Sequence, residues 1–367
     1  MPDGESRLGY LRVGDPLRAV AALSVLLYHV ALFSDPHLDD VRFTNEFGLY
    51  PGTVLGRAGG GLEIFFVLSG YLIAGPFVRA IIAGAPTPPI RRYARNRVLR
   101  IVPAFWVVFT ITLLIAGIGG RSAGDILAVY GFAQAVHDSP TANLIGQGWT
   151  LGVELSFYAL VGIVGCAAGL LAKRGSQSAR RVLLVLIVSL VGLASYHASV
   201  TGTGHRTLVA TGFAFVPGIL FAAFESLVPE VERRRRLVTA GTAAIALLAL
   251  LVYLRPEHHL RGGAVLPAAA IVGSALLLQR GAGMTWRVLD NRLLHWLGVR
   301  SYSIYLIHWG VLMGLRHYLQ RDGHVVSTFF VLLVTATPIT ILMSALSYRW
   351  IERPFLRLRK PWRQAVR

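Results

Sequence analysis

Ten apolar runs, most of them 17 to 23 residues long, alternate along the chain with short segments that carry most of its charge. They fall at 17–33, 61–82, 101–118, 149–171, 182–200, 207–226, 237–254, 264–279, 301–318 and 326–348. Each is near the length of helix that crosses about 30 Å of hydrocarbon. A soluble core cannot bury that many such helices, whereas a bilayer requires helices or closed barrels. Mean hydropathy is +0.58 and 15% of residues are charged, well below the roughly 25% of soluble domains. The pattern predicts an all-α membrane protein, a bundle of about ten transmembrane helices.

The basic residues orient it. With the N-terminus inside, 28 of the 36 Lys and Arg fall on the cytoplasmic side and 8 on the outer side, as the positive-inside rule asks. Both termini are then cytoplasmic. Residues 1–367 read as one membrane domain, with a core of 17–354, a short tail at 355–367 and no appended soluble domain. The run 17–33 is followed by Ser-Asp-Pro-His rather than a small-residue cleavage site, so it reads as a retained helix. The net charge of +18 does not indicate nucleic-acid binding, because it is spread between spans rather than gathered on one soluble face. Cys166 is the one cysteine, so no internal disulfide or cysteine-based metal site forms; no metal site is expected. The loop 34–60 is acidic, and 125–137 is a weaker apolar segment, an outer surface helix or a re-entrant piece.

Ionisable groups at membrane depth are costly and need a reason. Arg18 and His29 are eleven residues apart, three turns plus about 20°, so they share one face of the first helix. They lie about 16 Å apart along the axis, Arg18 near the inner surface and His29 in the outer half. Glu63 opens the second span at a depth matching His29. A carboxylate beside an imidazole fixes its tautomer and raises its basicity; facing outer water is the other reading of Glu63. Glu154 lies a turn and a half into the fourth span. Trp149, at that span's start, suits an interfacial anchor or a platform for a sugar ring. Ser69 reads as a hydrogen-bonding residue of the bundle.

At the inner mouth, Arg97 and Arg100 share a helix face. They read either as ordinary positive-inside charge or as a bidentate phosphate site. Tyr302, Tyr305 and His308, spaced by three, form a polar stripe on the ninth span. Glu352 is expected to pair with Arg349 or Arg353 where the last helix leaves the membrane.

These motifs, in this order, resemble the acyltransferase-3 family of membrane acyltransferases. The resemblance runs from Arg18 to Pro354. It rests on Arg18 ten residues before His29, Glu63-Ile64-Phe65-Phe66-Val67-Leu68-Ser69-Gly70, Arg97 and Arg100 before Pro103, Trp149-Thr150-Leu151 before Glu154, and Ser301-Tyr302-Ser303 before Tyr305, Leu306 and His308. It implies ten spans and acyl transfer to carbohydrate-containing molecules such as polysaccharides, lipid-linked sugars or glycosylated antibiotics, with Arg18 and His29 required.

On that basis acyl-CoA, acetyl-CoA foremost, is the expected co-substrate, and no cofactor is held permanently. Arg97, Arg100 and Arg18 would hold its phosphates. His29 would act as general base, oriented by Glu63 or Glu154, or as nucleophile through an acyl-His. The partners expected are acyl-CoA, a carbohydrate acceptor and the lipid bilayer, with neither nucleic acid nor a soluble hydrolase domain. The location expected is the inner (plasma) membrane, multi-pass. The alternative is a transporter or flippase of a sugar-containing molecule. Such proteins commonly show a repeat between halves, and none is evident.

Overall fold

The computed structural model describes residues 12–34, 55–171, 175–204, 206–228, 235–253, 263–282, 286–319 and 325–360. The described residues are mostly helical, without strands. Seven helical segments are long and apolar enough to cross a membrane. All ten apolar runs coincide with helices. Those at 237–252 and 265–279 are shorter than a full crossing, and 301–319 does not meet the same criteria of length and composition. Most of the acidic loop, 35–54, lies outside the described residues.

Helix α1 (Gly14–Ser34) begins with Asp15 in its first turn, where a carboxylate complements the helix dipole. It is the hub. Over half of it is buried, and it packs against α2 (Gly61–Ser69) and three C-terminal helices described below. Small residues permit the close approaches. Gly61 meets the Ala21 carbonyl and Ser24 of α1, leaving no room for a Cβ.

After α2 the chain makes a π turn at Gly70–Ala74 and continues as α3 (Gly75–Ala83). π turns are often found at functional sites. Here the turn crosses α8 (Val216–Phe224, below) backbone to backbone, with Gly70 against Phe215 and Gly218 against Val67. A small-residue crossing of this kind is the usual way two membrane helices come close.

Helix α4 (Ile90–Ala116) carries the inner-mouth arginines and an internal Pro103. The expected 125–137 segment is a short helix, α5 (Ala123–Tyr130), followed by turns. A 3-10 stretch, Ala142–Gly148, then leads into α6 (Trp149–Leu171).

Helices α7 (Gln177–Thr201), α8, α9 (Arg235–Tyr253) and α10 (Val265–Ala282) follow. Leu183, Leu186, Ile187, Leu190 and Leu193 of α7 are all exposed, a face suited to lipid tails rather than water. The chain closes with α11 (Arg292–Val299), α12 (Ser301–Leu319) and α13 (Val325–Ser347). These three are the helices that cover α1. A second π turn, Tyr348–Glu352, leads into α14 (Arg353–Arg357) and turns Glu352 into the protein, where it is 2% exposed.

Candidate active site

A cavity of about 90 Å³ lies between α1, α2, α4, α6 and α12, large enough for several waters. Its walls include three cations, Arg18, Arg97 and Arg100, one carboxylate, Glu154, and Ser69. Tyr302, Tyr305 and Thr150 line it too.

Each cation is held differently. Arg18 pairs with Asp15 one turn back at 3.4 Å. The Arg97 guanidinium lies over the rings of Tyr93 and Tyr158, 5.7 and 5.5 Å from their centroids. Its Nε is buried without a hydrogen-bond partner among the described residues. Arg100 lies over Tyr302 at 5.5 Å and pairs with Glu352 at 3.2 Å. Glu352 also accepts from Ser303 Oγ. The expectation that Glu352 pairs with Arg349 or Arg353 is therefore corrected. The π turn aims it across the bundle, 252 residues away in sequence.

Glu154 accepts from the Tyr158 hydroxyl one turn along the same helix. It sits among the arginines rather than beside His29.

His29 lies in a second cluster. Its Nδ1 is 3.0 Å from Nε2 of His308. Its ring meets Trp309 edge-on, with centroids 5.2 Å apart. No carboxylate contacts it among the described residues. The hydrogen bonds set the tautomers. His308 Nδ1 lies 3.1 Å from the Ile304 carbonyl. A carbonyl only accepts, so Nδ1 carries the proton and Nε2 carries a lone pair. His29 Nδ1–H then donates to that lone pair, so the lone pair of His29 is on Nε2. His308 thereby does what was expected of a carboxylate: it fixes the tautomer and orientation of His29.

Glu63 is not in the cavity wall, and its buried Oε2 has no partner among the described residues. Trp149 packs against the core outside the cavity.

Tyr305 links the two clusters. It lines the cavity, its hydroxyl is 2.6 Å from Thr150 Oγ1, and its ring centroid is 5.7 Å from that of His308. The stripe of Tyr302, Tyr305 and His308 therefore runs from the arginines to His29. Sequence reasoning missed Trp309, Gln147 and the role of Glu352. Tyr158 was within reach, being four residues from Glu154 on one helix face.

The features together are those of a polytopic helical membrane protein with a basic pocket and, across Tyr305 from it, an oriented pair of imidazoles. Residues 15–349 match the acyltransferase-3 profile, described as an acyltransferase domain, and the chain belongs to that family. Among its relatives is a provisionally named peptidoglycan O-acetyltransferase, YrhL, from Bacillus subtilis. It is 25% identical over 93% of this chain and 54% of its own length. Another is the peptidoglycan O-acetyltransferase OatA of Listeria monocytogenes, 25% identical over 93% of this chain and 55% of its own length. A provisionally named O-acetyltransferase of Staphylococcus aureus strain COL is 25% identical, covering 95% of this chain and 58% of the relative. The chain thus spans just over half the length of these relatives. No solved structure gives a significant match.

Proposed function

We propose that this chain transfers an acyl group, acetyl foremost, from acyl-CoA to a hydroxyl of a carbohydrate-containing acceptor, from within the plasma membrane. One observation carries this reading: a cavity walled by three arginines is lined also by Tyr305, whose ring lies against His308, and His308 fixes Nδ1 of His29 so that Nε2 holds the lone pair. Family membership and the O-acetyltransferase names of its relatives support it.

A CoA diphosphate needs cations, and Arg97 offers an unpartnered guanidinium nitrogen held in place by two tyrosine rings. Planar guanidinium suits phosphate. The pantetheine arm runs past Thr150 and Tyr305 toward His29. His29 Nε2 takes the acceptor's proton while the alcohol oxygen attacks the thioester carbonyl. The tetrahedral intermediate expels the CoA thiolate, which takes the proton back from His29. His308 stabilises the transient imidazolium by accepting from its Nδ1–H. Such base assistance is worth about 10²–10⁴-fold. Ten crossings with both termini cytoplasmic place the donor pocket inside and the base in the outer half.

The test is to supply labelled acetyl-CoA to the purified full chain in liposomes carrying extracted acceptor glycolipid. Label should pass to the glycan in wild type and not in His29→Ala. Wild-type protein that consumes no acetyl-CoA while moving the acceptor across the bilayer would make it a flippase instead. Label retained on His29 without acceptor would convert the base into a nucleophile.

A further inference from the structure

The segment between α5 and α6 is built as a roof over the histidine pair. Trp309 Nε1 donates to the Asn143 carbonyl at 3.0 Å, and Gly146 packs on the Trp309 ring so closely that a Cβ would not fit. Gln147 Nε2 donates to the carbonyls of Tyr305 and Leu306 at 3.1 and 3.0 Å. The Tyr305 hydroxyl returns a bond to the Gln147 carbonyl at 3.3 Å. The roof is therefore pinned to the stretch of α12 that carries Tyr305, His308 and Trp309.

Within this pinned segment three amide atoms have no hydrogen-bond partner among the described residues. They are Nε2 and Oε1 of Gln134 and Oε1 of Gln147. Both side chains are more than nine-tenths buried, Gln134 at 8% and Gln147 at 3% exposure. They are neighbours: a Cβ placed on Gly148, the residue after Gln147, would lie 3.0 Å from Gln134 Nε2. Buried amides are costly unless paired.

The backbone here is also strained. Phe132, two residues before Gln134, has φ +61° and stacks on Phe105 at 4.2 Å. A non-glycine residue there is uncommon and is held only by its surroundings. Strain and orphaned polarity in one place mark a segment shaped for something other than its own stability.

We propose that Gln134 and Gln147 form the polar half of the acceptor subsite, holding hydroxyls of a sugar ring so that one hydroxyl faces His29 Nε2. One donor and two acceptors match the vicinal hydroxyls of a pyranose, each of which both gives and takes a hydrogen bond. Trp309, edge-on to His29, supplies the apolar wall that a sugar face requires. The ligand class is a neutral hydroxyl-bearing sugar, since no charged group faces the amides among the described contacts. The inference rests on the acyl-transfer reading, and its test separates the two.

Membrane vesicles from the producing cell carry their own acceptor, and radiolabelled acetyl-CoA is the probe. Base-labile label on the glycan fraction, KM for acetyl-CoA and melting temperature are measured for wild type, Gln134→Met and Gln134→Glu. Met keeps the volume and removes the amide. Gln134→Met should lower glycan labelling about tenfold or more, the loss of one or two hydrogen bonds to a bound hydroxyl. Its acetyl-CoA KM should stay unchanged and its melting temperature should hold or rise, because an orphaned polar group has been removed. Gln134→Glu keeps two acceptor oxygens and should recover part of the labelling. Labelling by Gln134→Met within twofold of wild type overturns the subsite, as does a matching rise in acetyl-CoA KM. Equal melting losses in both variants that account for the lost labelling overturn it too. If wild type itself labels no glycan, the acyl-transfer reading has failed, and the subsite falls with it.

Discussion

The two ends of the proposed reaction path are stabilised by opposite means. At the arginine end the charges are permanent, and each is managed by a neighbour: Asp15 for Arg18, two tyrosine rings for Arg97, Glu352 and Tyr302 for Arg100. At the histidine end no charged side chain contacts His29 among the described residues; a chain of hydrogen bonds runs from His29 to His308 to a backbone carbonyl. A cation site must offer charge without collapsing on its own counter-ions, and ring faces do that because they attract a guanidinium without neutralising it. A base must stay unprotonated until an alcohol arrives. A neutral partner that fixes the tautomer serves that need without the desolvation cost of a second buried charge.

The comparison predicts that the two ends answer to different kinetic constants. The largest expected effect is at His29. His29→Ala should lower kcat by about 10²–10⁴-fold and leave KM for acetyl-CoA unchanged, read by steady-state assay of detergent-purified protein at matched folded amounts. A rise in donor KM with kcat intact would join the two ends and break the comparison. His308→Ala should come next, lowering kcat about 10–100-fold, because His29 loses its orientation but keeps its nitrogen. His308→Asn, which can still accept from Nδ1–H, should recover part of the loss. Equal damage from Ala and Asn would show that His308 acts only as packing.

Glu352→Gln tests the other end. Removing one partner of a buried ion pair costs about 3–5 kcal/mol, so the melting temperature should drop. Arg100, freed from its counter-ion, should also lose its fixed position, raising acetyl-CoA KM about tenfold while kcat changes less than twofold. The double variant Glu352→Gln with Arg100→Gln should be more stable than Arg100→Gln alone carrying the buried carboxylate. A fall in kcat without a change in KM would contradict the division of labour.

Much of this architecture was legible along the chain because hydropathy and charge are local. All ten apolar runs coincide with helices, and Arg18, Arg97 and Arg100 meet at one cavity, whereas Glu154, expected in the outer half near His29, lines that cavity with the arginines instead. The spans were legible; which polar groups meet between them was not. Glu63 was expected at the depth of His29, yet Gly61 packs on Ala21 and Ser24 of α1, which sets Glu63 deeper, and the partner of His29 is His308, 279 residues on. No rule of spacing within one helix reports which other helix stands beside α1. The two π turns defeated the reading for a related reason. A single wide turn at Tyr348–Glu352 rotates Glu352 away from Arg349 and Arg353 toward Arg100, and an arithmetic of 100° per residue carries no sign of it. The roof was seen as a weak apolar segment. Its hydrogen bonds run to α12 rather than along itself, so its function left no periodic trace.

The smallest effect expected is at the rim of that roof, where His137 Nε2 lies 2.6 Å from Asp125 Oδ1. The hydrogen bond from His137, with that from Ser122, holds the Asp125 carboxyl below its usual range. A carboxyl so lowered contributes stability above the ordinary carboxylate value and loses it as pH falls through the lower folded value. Both groups are partly exposed to solvent, so the contribution is small. His137→Ala should therefore leave kcat and acetyl-CoA KM unchanged at neutral pH, while amide exchange across 123–137 quickens. Because this segment carries Gln134, any activity lost should be lost at the acceptor side alone. A donor-side effect from so distant a change would mean that the roof and the arginine cavity move as one body, and the separation of the two ends would have to be given up.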